Sequence, residues 1–192
     1  MPRSLRLDYN APFTLTYALL CIVALVIALL SGGAANAGFF SIQHNPDWSH
    51  ALTYIRLFTH VLGHANAEHL ASNIFLILLL GPMLEEKYGW QTLLVTTLIT
   101  AFVTGMAMAL IFPGTLLGAS GVVFAFIVLS SFSRAKSGTI PLTFLLVALL
   151  FLGQEIAASI AGSNEVGGHE IARFAHILGG LVGAVVGWVR TP

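Results

Sequence analysis

Charge is what this sequence has least of. Asp, Glu, Lys and Arg make up 8% of its 192 residues, against about a quarter of an ordinary soluble domain. Eight acids balance eight bases, so the formal net charge is zero. The electrostatic footprint of a nucleic-acid partner is therefore missing. There is one cysteine, Cys21, inside an apolar run. It excludes an intrachain disulfide and reads as a packed or lipid-facing thiol. What is present is apolar: 57% hydrophobic residues and a mean hydropathy of +0.89. A soluble chain of this length could not hide so much apolar surface in one core. A polytopic all-α membrane protein can, because lipid solvates its outer faces. No room remains for a sizeable soluble second domain.

The ~20-residue length of a spanning helix gives six candidate spans, at residues 13–31, 67–84, 91–112, 120–133, 140–160 and 171–189. Residues 1–12 then form a cytoplasmic N-terminal segment and 13–190 one six-helix membrane domain. Arg3 and Arg6 ahead of an apolar run ending in Ser-Gly-Gly-Ala-Ala resemble a signal peptide. The run is longer than a signal core and further spans follow, so an uncleaved first helix is expected. The second and fourth spans are short. About 14 residues of helix rise only ~21 Å, against ~30 Å of hydrocarbon. The fourth is therefore expected to start inside the membrane. The connection ahead of it must dip in, which backbone tolerates only inside protein or beside a watery cavity. With the N-terminus inside, six of the eight Lys and Arg residues are internal, so both termini read as cytoplasmic. All seven histidines then fall on the outer half. The longest outer connection, about residues 32–66, carries Trp48, Tyr54 and Phe58 and suits a structure lying in the interface.

Ser120 heads the fourth span, between Gly118 and Gly121. Glycines permit a tight turn and close approach, and a helix N-terminus offers free N–H groups to an oxyanion. His176 heads the last span, and Gly179, Gly183 and Gly187 follow it at four-residue spacing. That stripe lets another backbone approach and turns His176 toward a neighbouring helix. His69 and Asn73 are i,i+4 on the second span, so both side chains point one way and both can donate hydrogen bonds. A lone intramembrane serine ordinarily bonds back to its own helix, whereas an ionisable group in a bilayer is a functional candidate by default. Together these residues supply a nucleophile, a base and two oxyanion donors. The acid nearest His176 in sequence, Glu170, lies outside the helix start, so a Ser–His dyad is the economical reading.

Other chemistries fit less well. Gly-x-Ser-x-Gly fails because position 122 is Val and no strand precedes the serine. His60, His64, His69 and Glu68 suggest zinc, but neither His-Glu-x-x-His nor His-x-x-Glu-His is present. On one helix His64 and His69 would stand ~140° apart. His60 and His64 read instead as loop residues bonding backbone groups, and no metal is expected. A transporter would call for midplane ionisable groups or an internal repeat, and neither is evident.

The stretches Arg56-Leu-Phe-Thr-His60-Val-Leu-Gly-His64, His69-Leu-Ala-Ser-Asn73, Gly81 to Glu85 with Gly89, Gly118-Ala-Ser120-Gly121-Val-Val, and Ala175-His176-Ile-Leu-Gly179 with Gly183 resemble the rhomboid intramembrane serine proteases, of the bacterial six-helix type. The resemblance spans roughly residues 13–190. It implies Ser120 as nucleophile and His176 as base, an oxyanion hole of His69, Asn73 and the Ser120 N–H, and packing around the site by Gly118, Gly121, Phe124, Gly179 and Gly183. It gives Arg56, His60 and His64 the first outer loop, and has Glu85 tie the inner end of the second helix to a neighbour. Glu85 lies 16 residues past His69, ~24 Å along a helix, too far to share the site. Two positions depart from the family: Ile55 stands where Trp is usual before the loop arginine, and Phe124 where Tyr is usual. Being i+4 from Ser120, the Phe124 ring can still pack on His176. The resemblance implies transmembrane protein substrates, no cofactor and a bacterial inner-membrane location; it leaves oligomeric state open. The fifth helix, with Phe144 and Phe151, is the expected gate. The competing expectation is a catalytically silent relative with a binding or quality-control role, although such relatives typically lack the serine or the histidine.

Overall fold

The apolar runs fold as helices because no water is present in a bilayer core to satisfy an open backbone. A computed structural model describes residues 8–133, 135, 139–147, 149–150 and 168–190. Its helices are α1 (Pro12–Leu30), α2 (Ala34–Gly38), α3 (Ala51–Thr59), α4 (Ala67–Tyr88), α5 (Trp90–Leu110), α6 (Ser120–Ser131), α7 (142–147) and α8 (Gly168–Arg190). Strands β1 (Ile42–Gln43) and β2 (Thr115–Leu116) form one small antiparallel pair. Among the described residues three helices, α1, α4 and α5, are long and apolar enough to cross a membrane. The remainder of the expected fifth span lies outside the described residues, as do Arg3, Arg6, Arg134 and Lys136, four of the six cations expected on the inner side.

One expectation is corrected. The second span is not short: α4 runs 22 residues and ends at Tyr88, past the apolar stretch. It continues because buried Glu85 has a use there. α1 opens on Ala11-Pro12 with no side-chain cap of its own, leaving N–H groups unpaired. Glu85 Oε1 accepts from Phe13 N at 2.8 Å, and Oε2 accepts from Thr14 N at 3.0 Å and Thr14 Oγ1 at 2.8 Å. A carboxylate also suits the positive end of a helix dipole. One turn earlier, Gly81 leaves room for Thr14, whose Cγ2 would lie 2.5 Å from an added Cβ.

α6 is apolar on all sides and sits at the centre, against α4, α5 and above all α8. Its buried Val122, Val123, Phe126 and Leu129 join Ile77 and Leu84 of α4 and Leu93 of α5 in the main core. The glycine stripe of α8 meets α6 backbone directly. A Cβ on Gly179 would overlap the Gly121 carbonyl, and one on Gly183 the Ala125 carbonyl.

Between α1 and α4 the chain folds into α2, β1, α3 and a 3-10 turn at His60–Leu62. Arg56 Nε donates to Gly38 O at 2.7 Å, Tyr17 Oη to Val61 O at 3.0 Å, and Asn36 Nδ2 to His64 O at 2.9 Å. The irregular connection before α6 is bonded into this unit. Ile42 pairs with Leu116 and Gln43 with Thr115. His44 N donates to Gly114 O at 3.0 Å, and Gly118 N to His60 O at 2.9 Å.

Overfilling such a contact costs typically 1–3 kcal/mol. Gly179→Ala should therefore lower the thermal unfolding temperature in detergent, whereas Gly180→Ala, whose added Cβ would make an ordinary 3.6 Å contact with Val128, should leave it nearly unchanged. Equal Tm values for the two would refute the backbone contact.

Candidate active site

Ser120 is the first residue of α6, and Ala119, its N-cap, offers no side-chain cap. The first-turn N–H groups stay available as donors. Gly118 turns the chain into this helix at φ +130°, a conformation suited to glycine. The space its missing Cβ leaves is filled by the His69 imidazole, whose Cε1 and Nε2 would lie 2.8 and 2.9 Å from an added Cβ. On the other side, Gly121 lets Ala175 O approach, 3.3 Å from an added Cβ. That contact brings the next residue, His176, beside the first turn of α6. Phe124, one turn after Ser120, stacks on His176 with ring centroids 4.2 Å apart and planes 13° from parallel. The fold thus gathers Ser120, Gly118, Gly121, Phe124, His69 and His176, and Gly179 packs directly beneath them.

Asn66 caps α4, its Oδ1 accepting from His69 N at 2.8 Å. This fixes the helix start from which His69 reaches Gly118. The His69 ring lies edge-on to that of His64, centroids 5.0 Å apart. His64 Nδ1 donates to Leu62 O at 3.1 Å, because a carbonyl can only accept. Its Nε2 is then the acceptor for buried Asn73 Nδ2 at 3.1 Å. Asn73 keeps a second amide hydrogen for another partner. Buried His60 donates from Nε2 to Ala101 O at 3.0 Å, while its own carbonyl holds Gly118 N. His60 and His64 therefore act on the site through Gly118 and Asn73.

Glu85 and Arg56 lie apart from this cluster, engaged with α1 and with Gly38, and Gly183 packs one turn along α8 on Ala125. Among the described residues no three His, Cys, Asp or Glu side chains converge on a metal position. Glu170's side chain is outside what is described. Two features of the cluster, Asn66 and the His64–Asn73 bond, are absent from the sequence expectations. Asn66 was legible as a polar residue before an apolar run. The His64–Asn73 bond crosses from loop to helix and leaves no periodic trace.

The Rhomboid domain family model matches residues 51–192. The chain belongs to the rhomboid family. It is 27% identical over 184 residues to "Rhomboid protease GlpG" of Yersinia pestis (strain Pestoides F), and 29% identical over 185 residues to the protein of that name in Serratia proteamaculans (strain 568). Each match covers 94% of this chain and 63% of the relative, so the chain spans less than two thirds of those relatives' length. With its rhomboid domain and long apolar helices, this chain is an integral membrane protein.

Burial holds His60 and His64, both between α3 and α4, down to about 4, below the ordinary ~6.5. Between these values the unfolded chain takes up protons that the folded one refuses. Their neutral forms therefore leave stability intact above about 6.5 and erode it as pH falls toward 4. Unfolding temperature measured in detergent from pH 8 to 4 should drop through that window, and His64→Gln should shrink the drop. A flat profile would rule out buried neutral imidazoles.

Proposed function

We propose that this rhomboid-family protein is an intramembrane serine endopeptidase acting on transmembrane proteins. The observation that carries the reading is the convergence of three helices at Ser120: His69 of α4 fills the space beside Gly118, and His176 of α8 lies against Phe124, one turn past the serine. In this reading His176 accepts the Ser120 hydroxyl proton as Oγ attacks the scissile carbonyl. The oxyanion is held by the Ser120 N–H, His69 and the Asn73 amide. Breakdown of the tetrahedral intermediate breaks the C–N bond, and His176 returns the proton to the leaving amine. Water, deprotonated by His176, then hydrolyses the ester and frees Ser120. The residues need no cofactor for these steps.

The membrane arrangement is part of the same proposal. Residues 13–190 form six spans with both termini cytoplasmic, in a bacterial inner membrane. α6, 12 residues long, rises ~18 Å and begins below the outer surface. Its depth puts Ser120 within reach of an unwound substrate helix, while the outer side supplies water. Phe124 stacks on His176 through its ring and, carrying no hydroxyl, gives the histidine no hydrogen bond of its own.

Cleavage of a model transmembrane substrate in detergent tests the assignment. Ser120→Ala and His176→Ala should each lower the rate by more than about a thousandfold. Asn73→Ala should cost roughly 10²–10³, with the protein still folded by its unfolding temperature. Undiminished cleavage by either the Ser120 or the His176 variant would remove the dyad.

A further inference from the structure

α5 and α8 run side by side in opposite directions and leave a groove between them that no step of the proposed chemistry uses. The stretch nearer His176, about 340 Å³, is wholly apolar and is lined by Ile99 and Val103 of α5 and Leu178, Leu181 and Val182 of α8. It shares Val185 and Val186 with a second stretch of about 180 Å³, lined also by Thr92, Val95, Thr96 and Val189 and reaching Arg190. From Leu178 to Arg190 the groove rises ~18 Å along α8, close to half of the ~30 Å hydrocarbon thickness. Val185 is 63% exposed, so the groove is open to the bilayer along its side. Arg190 lies at the end of the bundle away from Ser120, the end where α4 gives way to α5. Trp90 and Trp188, exposed at the same end, suit the level of an aromatic belt at the membrane surface.

We propose that this groove is a binding site for one anionic phospholipid of the leaflet at that end, its acyl chain along the valine and leucine floor and its phosphate on Arg190. The charge pattern selects this occupant. A guanidinium binds phosphate oxygens in its planar fork; beyond it lie Thr92 and Thr96 at the headgroup end, then a stretch that is wholly apolar and suits an acyl chain. A partner helix or second copy laid in the same groove would set apolar side chains against Arg190 and leave its charge unanswered. The groove length matches the chain depth of a single leaflet.

Native mass spectrometry of the full chain, released from micelles doped equally with phosphatidylglycerol and phosphatidylcholine of identical chains, tests this. The wild type should retain phosphatidylglycerol about fivefold over phosphatidylcholine, the ratio expected for one basic residue at an anionic surface. Arg190→Gln should equalise the two, and Arg190→Lys should keep a preference. Val185→Trp, which fills the groove from its exposed side, should reduce retention of both. Lys87→Gln, a cation at the same end but outside the groove, should change nothing. Equal retention by the wild type, or a preference that survives Arg190→Gln or vanishes with Lys87→Gln, would overturn the proposal. So would a lipid-free dimer that Val185→Trp disrupts, which would assign the face to a second copy.

Discussion

The contact between Gly179 of α8 and the Gly121 carbonyl of α6 is the constraint on which the rest of this molecule depends. Two helices without a hydrophobic drive to associate in lipid gain from close backbone packing, and side chains at that point would hold them apart. Because the meeting is backbone to backbone, there is little freedom in how α8 lies on α6. Its consequence appears one turn earlier, where Ala175 O comes against Gly121 and His176 lies against Phe124. Glycines that make the helices pack also fix the register in which the proposed base meets the proposed nucleophile.

The second requirement is a way to hold irregular backbone ahead of a short helix. The connection from α5 to α6 cannot satisfy itself, and the fold answers with the first outer loop. β1 pairs with β2, His44 N reaches Gly114 O, and the His60 carbonyl takes Gly118 N. The loop is in turn fastened by Arg56 to α2 and by Tyr17 to α1. His60 thus holds the turn before Ser120, and His64 orients Asn73, though neither is assigned to the reacting atoms. Glu85 does comparable work at the other end, where one carboxylate supplies the missing N-terminal cap of α1.

Much of this was legible in the sequence for physical reasons. Apolar runs bounded by glycine and charge declare helices, and the four-residue recurrence of Gly179, Gly183 and Gly187 declares a packed face. The i,i+4 pair His69 and Asn73 declares a shared direction. The pairing of Ser120 with His176, 56 positions apart, was read from side-chain chemistry and matched by the family motifs, and it stands as a proposal. Hydropathy misjudged the end of α4, because Glu85 to Lys87 read as a boundary when the helix carries on through them to cap α1. The β1–β2 pair was invisible, since two residues per strand leave no alternation to detect. The link from His64 to Asn73 was invisible too, since it joins loop to helix and depends on tertiary placement.

Phe124 shows how far the site depends on shape as against hydrogen bonding. Where the family usually has a tyrosine, this chain has a ring of the same size without the hydroxyl. The ring still lies nearly parallel to His176 at 4.2 Å, so the contact holding the imidazole is one of area and dispersion, which a phenol would share. Offset aromatic stacking contributes about 0.5–1.5 kcal/mol beyond burial, comparable to a net neutral hydrogen bond of ~1 kcal/mol. Loss of the hydroxyl therefore leaves roughly half of the restraint that a tyrosine could offer. The α6–α8 backbone contact is a restraint of another kind, setting where the histidine can lie before any side chain acts on it.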